Sequence, residues 1–531
     1  MRSTHKKREN ACRAMVHVLA ATALLFSLAA YGASSDPVVE TVQKVQKLIQ
    51  ARDFSGARAE LSHGLKEYPN DGPLYGLLGV VEANEGNYAA AEADFKKAIA
   101  LIPRYAGAYL DLGRLYQENV AKDPEAVKKA LDTYERLLRF QPNNREALFQ
   151  SAFLLGHEGS FQASLDRLAR LPAADQDAPQ ALAVRCAALA AIGKSKEAEP
   201  IADRLLQKPE TSEADVLQML PVLEAHGASP LAERVLRAQT ERQGSYESFY
   251  ALGLLEKRRS NLAGARATLE QAARYRPHDV PLLIDLARIA HDQHDRKGAL
   301  GYLAHARDLQ PQNGGIHFFW GIVCIEEGLA EEAYQSLQRA VALTPDNPQY
   351  DYALGAVILQ RNDHREAIPL FQKYRQLKPD DPHGMLALGA AYLENLDYDK
   401  ARPELDGAAR HSETAPGAHY YLARLANHAG DFAGALKEFE LAIQANPNMP
   451  ESYAEMGALF IKLRDYTQAE KALRKALELY PESYAANLNL MVLYQRTKDP
   501  RANEQAQRFQ GLREKLDKSK MEMFRTIQVQ P

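Results

Sequence analysis

The sequence predicts an all-α fold, an α-solenoid of about 12 to 14 stacked helix-turn-helix repeats. Three periodic features carry that expectation. Pro69 and Pro103, then Pro277, Pro311, Pro345 and Pro379, then Pro447 and Pro481, are spaced by 34 residues. Gly79, Gly253, Gly321, Gly355, Gly389 and Gly457 stand 24 residues ahead of that proline or its equivalent position. Ala57, Ala91, Ala265, Ala299, Ala333, Ala367, Ala401, Ala435 and Ala469 stand twelve residues ahead of it.

Each landmark has a physical reason. Between the glycine and the alanine, apolar residues recur at three- and four-residue spacing, as in Leu252, Leu255, Leu262 and Leu269, the signature of two amphipathic helices joined by a short turn. Small residues permit the two helices to cross closely. Four residues after the alanine comes a large apolar plug, such as Phe95, Leu269, Leu337, Phe371 or Phe439, that fills the space between helices. The proline closes the second helix, because it lacks an N–H and clashes with the preceding turn. A single hairpin buries too few side chains to offset the ordering of its backbone, so each needs its neighbours.

Along the chain this yields an N-terminal array over residues 38–171 and a C-terminal array over 246–498. Units begin near residues 38, 72, 246, 280, 314, 348, 382, 416, 450 and 484. In the unit containing Gly113 and Tyr134, about five extra residues at 120–124 require the turn between helices to bulge. Residues 172–245 keep helical periodicity near 179–192, 197–206, 212–224 and 230–243, but their glycine and proline landmarks drift. They read as degenerate helix pairs and a candidate hinge. Asp499-Pro500 opens a charged helix over 499–519 suited to cap the end of the stack, and 520–531 reads as a disordered tail. Residues 1–33 read as an export signal: Arg2, Lys6, Lys7, Arg8 and Arg13 precede an apolar run over 14–30, with small residues at Ala30 and Gly32. An uncleaved membrane anchor is the alternative.

The pattern resembles the tetratricopeptide repeat (TPR) family, whose 34-residue motif is met most clearly at Tyr109, Leu112, Gly113, Tyr116, Ala130, Tyr134 and Pro142. The resemblance implies a right-handed superhelix with a concave groove lined by the first helix of each pair. Carried onto this sequence, the groove position three before the repeat glycine gives Tyr250, Ile284, Phe318, Tyr352, Leu386 and Tyr420. The position one after it gives Leu254, Arg288, Ile322, Ala356, Ala390 and Arg424, with Tyr421 adjacent. Tyr250, Arg288, Phe318, Tyr352, Tyr420, Tyr421 and Arg424 are therefore the candidate peptide-binding residues, the two arginines suited to partner carboxylates. The competing reading packs these rings against neighbouring helices. Chaperone-binding relatives use Lys and Asn at those two positions of one unit, and no unit here has that pair.

Composition narrows the function class. With 46% apolar and 25% charged residues, the 531-residue chain matches a soluble folded protein. Removing the signal takes away five of 65 basic and one of 69 acidic residues, leaving a net charge of −8, and no basic stripe for nucleic acid follows. Cys186 and Cys324 lie in helical patterns far apart, which favours buried thiols over a disulfide, while Cys12 precedes the apolar run and is no lipid-attachment cysteine. Gly193-Lys194-Ser195 has Ala188 where a phosphate loop needs glycine, and reads as a turn between helices. His291, His294 and His305 match no zinc spacing, and His157-Glu158 lacks a second histidine. No nucleophile elbow or dinucleotide fingerprint appears.

The expected protein is thus not an enzyme and needs no cofactor or metal. It is an exported scaffold, periplasmic or secreted, that binds other proteins in envelope assembly, secretion or polysaccharide export. The alternative is an accessory subunit of an enzyme complex such as a glycosyltransferase, or inner-membrane anchorage through an uncleaved signal.

Overall fold

The computed structural model describes residues 37–528 apart from 362, with side chains for 38–515. The export signal expected at 1–33 lies outside the described residues. The chain forms two compact units, one ending at Leu282 and the other starting at Leu283. Among the described residues there are fourteen helix pairs and no strand, as the periodicity predicts.

Each pair has a leading and a trailing helix, for example Gly314–Glu326 with Ala330–Leu343 and Pro348–Gln360 with His364–Leu377. Short polar side chains start the trailing helices. Asp53, Asn261, Asp295, Asp363, Asp431 and Asp465 each accept a hydrogen bond from the backbone N–H three residues on. The landmark prolines stand just past the trailing helices. Gln310, Thr344 and Lys378, each preceding such a proline, have φ from −141° to −133° and ψ from 70° to 72°, outside the α region that a following proline disfavours.

Among the described residues, a second periodic residue closes twelve of the fourteen leading helices. The turn residue there has positive φ at Arg52, Gly86, Gly159, Gly193, Gly227, Ser260, His294, Gly328, Leu396, Gly430, Arg464 and Lys498. This left-handed residue reverses the chain within a turn of two to four residues, which is why glycine recurs at it.

Inside a pair, the plug of the trailing helix rests on the glycine of the leading helix. A Cβ added at Gly79 would lie 2.7 Å from the Phe95 ring, at Gly321 2.6 Å from Leu337, at Gly389 2.7 Å from Leu405 and at Gly457 2.6 Å from Leu473. The glycine therefore makes room for the plug itself, and the landmark alanines, such as Ala333 and Ala367, are fully buried where the helices cross.

Residues 172–245 belong to the first unit, and one apolar cluster runs from Leu182 to Leu255. Helices Pro179–Ala191, Ser195–Gln207 and Ser229–Gln243 lie where the periodicity places them. The helix expected over 212–224 is instead two pieces, Glu213–Leu217 and Leu220–Ala225. Pro221 accounts for the break, since its nitrogen cannot donate to the preceding turn.

At the C-terminus, the helix expected to end at 519 runs from Ala502 to Gln528, so the backbone of 520–528, expected as disordered, is helical. Glu, Lys, Gln, Arg and Met dominate this stretch and no proline interrupts it before Pro531.

Candidate functional site

The candidate residues lie on leading helices, and Phe318, Tyr352 and Tyr421 of the second unit belong to one strip. Consecutive leading helices Gly314–Glu326, Pro348–Gln360, Pro382–Glu394 and Ala415–His428 touch one another within that unit. Phe318, Ile322, Ile325, Tyr352, Leu359, Leu386, Ala387 and Tyr421 are half-buried and pack against a single core cluster. Each shows one apolar flank to solvent while its other flank supports the core.

The rings are anchored by neighbours. Phe318 stacks on Tyr350 at 4.6 Å and 23°. Tyr352 lies edge-on to Phe371 at 5.8 Å and against Tyr374 at 5.0 Å. Tyr420 contacts Tyr421 at 5.2 Å and Phe439 at 6.3 Å. Burial pushes the phenols of Tyr352, Tyr420 and Tyr421 above their ordinary range. In the first unit, the half-buried Tyr250 stacks on Tyr246 at 5.5 Å and 13°. The rings thus pack on core neighbours and keep a partly exposed edge.

The two arginines differ. Arg288 is exposed and has no ionic partner among the described residues. Arg424 is half-buried, pairs with Glu394 and lies 5.8 Å from the ring centroids of both Tyr420 and Tyr421. The expectation that Arg424 stands ready for a partner's carboxylate is corrected: its guanidinium is satisfied internally. Glu394, one leading helix away, supplies the carboxylate.

Sequence reasoning missed Ile325 and Leu359, four residues after the repeat glycines Gly321 and Gly355. That position is apolar again at Leu393, and this spacing would have pointed to them. Beside the strip, His291 Nε2 lies 3.0 Å from both carboxylate oxygens of Glu326, and Arg296 Nε is 3.2 Å away. Burial raises the Glu326 pKa, but the hydrogen bonds from His291 and Arg296 outweigh it and hold the carboxyl below its usual range. His291 is thus engaged in an inter-repeat contact. Among the described residues no group of three His, Cys, Asp or Glu side chains could hold a metal.

Gly193 has φ +80° in the turn ahead of the helix starting at Ser195, as expected for a helix-helix turn. Cys186 and Cys324 are buried free thiols, and burial pushes each up to about 12. No described helix is long and apolar enough to cross a membrane.

Stacked hairpins with a half-buried apolar strip and anchored rings define an α-solenoid scaffold for protein–protein interaction. The tetratricopeptide repeat family matches residues 43–106, 325–382 and 386–450, and a second description of the same repeat matches 426–488. The chain belongs to the tetratricopeptide repeat family. Arrays of this fold are typically non-catalytic.

Solved structures similar to it include a tetratricopeptide repeat protein from Parabacteroides merdae, 18% identical, covering 47% of this chain and 98% of that one with a TM-score of 0.42. The APC/C hetero-tetramer Cut9–Hcn1 is 12% identical, covering 85% and 95% with a TM-score of 0.39. Yeast Tom70 is 15% identical, covering 88% and 98% with a TM-score of 0.32. Among curated proteins none matches.

Proposed function

We propose that the protein is an exported scaffold that holds a segment of a partner polypeptide against the leading helices of its second unit. The observation that carries this reading is the continuous half-buried apolar strip from Phe318 to Tyr421. A partner's apolar side chains gain by covering it, since its flanks are in water and its rings are already ordered. Arg288, exposed and without an ionic partner, stands on the leading helix before the strip and supplies a cation for an acidic residue of the partner. The basic and apolar pattern of residues 1–33 supports export to the periplasm or beyond, with a role in envelope assembly, secretion or polysaccharide export.

The test is site-specific photocrosslinking in the native host, from Ile325 or Leu359 on the strip and from exposed Lys297 on a trailing helix as control. One partner crosslinked from both strip positions and not from Lys297 supports the groove, and equal labelling from all three sinks it. Cell fractionation tests export independently: recovery of the protein only in the cytosol removes the envelope role. If the crosslinked partner is an enzyme whose activity falls without the array, the scaffold acts as its accessory subunit.

A further inference from the structure

The turn between Glu118 and Ala126 spans seven residues, where the other turns within pairs span two to four. Its added residues close a cleft of about 320 Å³ against the start of the preceding trailing helix, Tyr88–Leu101. Tyr88, Glu92, Tyr116, Asn119, Lys122 and Asp123 supply its polar and aromatic walls. The site lies in the first unit and does not involve the apolar strip.

The chemistry of the walls favours an ammonium group. Glu92 Oε1 accepts both the Tyr116 hydroxyl at 2.8 Å and Lys96 Nζ at 2.6 Å, whereas Glu92 Oε2 has no hydrogen-bond partner among the described residues. Asp123 pairs with Lys129 at 2.7 Å, and Lys129 Nζ stands 5.8 Å from the Tyr116 ring centroid. Lys122 is exposed, forms no ion pair among the described residues, and rests its Nζ 4.9 Å from the Tyr88 ring centroid. An aromatic face attracts a cation through its quadrupole, and a nearby carboxylate adds to that attraction. Glu92 and Asp123 are each already paired with a lysine, so what selects an ammonium is the Tyr88 face, which Lys122 already occupies, together with the open Glu92 Oε2. Exchanging Lys122 for another ammonium leaves the local charge unchanged, and an apolar group would desolvate the carboxylates.

We propose that this cleft receives a lysine side chain of a partner polypeptide, which lies on the Tyr88 ring and reaches Glu92 Oε2. Lys122 is its internal placeholder. Held by the ring alone on an exposed turn, Lys122 gives way at little cost, and the cleft has room for one long side chain.

The test measures saturation-transfer NMR of Nα-acetyl-lysine amide with the full chain, using Nα-acetyl-norleucine amide as the uncharged counterpart. The lysine probe is expected to bind, with the strongest transfer at its ε-methylene, and the norleucine probe to show none. Tyr88→Ala is expected to weaken the lysine probe about threefold to fivefold, while Tyr88→Phe, which keeps the ring face, retains it. Lys122→Ala is expected to tighten it by about the same factor, because the internal competitor is gone. Lys122 is exposed, so this variant reports on the cleft even if Tyr88→Ala unfolds the turn. Equal transfer to both probes, or an affinity that neither Tyr88→Ala nor Lys122→Ala moves, overturns the proposal.

Discussion

The Phe371 ring lies against Gly355 so closely that a Cβ at position 355 would stand 2.9 Å from its Cε1 and Cζ atoms. Phe371 is 1% exposed and has no space into which to retreat. The same relationship recurs in other pairs, so it tests the register of the whole array. Gly355→Ala is expected to destabilise its pair by about 1 to 3 kcal/mol through overpacking. Gly301, also in the second unit and within helix Arg296–Leu309, has nothing within 4 Å of its added Cβ. There the same substitution is expected to stabilise by about 0.5 to 1 kcal/mol through helix propensity. Amide hydrogen exchange over each helix pair measures both effects, and a matching sign at the two sites would refute the register.

Ala367 gives a second check on the crossing. It is fully buried on the trailing helix His364–Leu377 beside the same plug. Ala367→Leu adds three carbons where the helices meet and is expected to cost about 1 to 3 kcal/mol. Urea unfolding of the variant against wild type measures it. A neutral result would place residue 367 away from the crossing.

The Tyr352 ring has two roles that substitution can separate. It packs against Phe371 and Tyr374, and its hydroxyl has no hydrogen-bond partner among the described residues. Tyr352→Phe is therefore expected to change stability by less than about 0.5 kcal/mol, within the range of a peripheral change. Tyr352→Ala removes the ring contacts and is expected to cost about 2 to 4 kcal/mol, less than a fully buried aromatic because one edge is already wet. Thermal unfolding compares the two variants. If Tyr352→Ala leaves stability intact, the ring belongs to the groove alone.

How much of this was legible in the sequence depends on which residue carries the signal. The 34-residue beat of Pro311, Pro345 and Pro379 was readable because a backbone restriction enforces it at each turn. In residues 172–245 the beat is kept by a different residue: Gly159, Gly193 and Gly227 stand 34 apart and all have positive φ. The landmark glycine seven residues before the turn is there replaced by Cys186, while Ala202 stands sixteen residues on, where other pairs carry a large plug. Both are fully buried. In the next pair Leu220 and Leu236 stand at the two positions, so the small-then-large order that periodic reading looks for is lost in both. The state of Arg424 was not legible, because its pairing with Glu394 crosses 30 residues and depends on how neighbouring pairs stack.

Acid should loosen the C-terminal end of the array before the rest of it. Glu470 accepts hydrogen bonds from Arg501 at 2.7 Å, Arg474 at 2.8 Å and Tyr494 at 3.0 Å, joining the trailing helix Tyr466–Leu479 to the following pair. Burial raises the Glu470 pKa, but these three donors outweigh it and hold the carboxyl below its usual range. Hydrogen bonds from the Arg501 side chain and backbone hold Asp499 down to about 2. A carboxyl whose folded pKa is depressed contributes stability above its unfolded pKa, and that contribution is lost as pH falls toward the folded value. With unfolded values near 4, exchange protection in helix Tyr484–Thr497 is expected to fall below about pH 4. Glu470→Gln keeps the side-chain shape and removes one of the two titrations. It is expected to lower protection at pH 7 and to flatten the loss below pH 4. Protection that falls equally steeply in the variant would assign the acid sensitivity to groups other than Glu470.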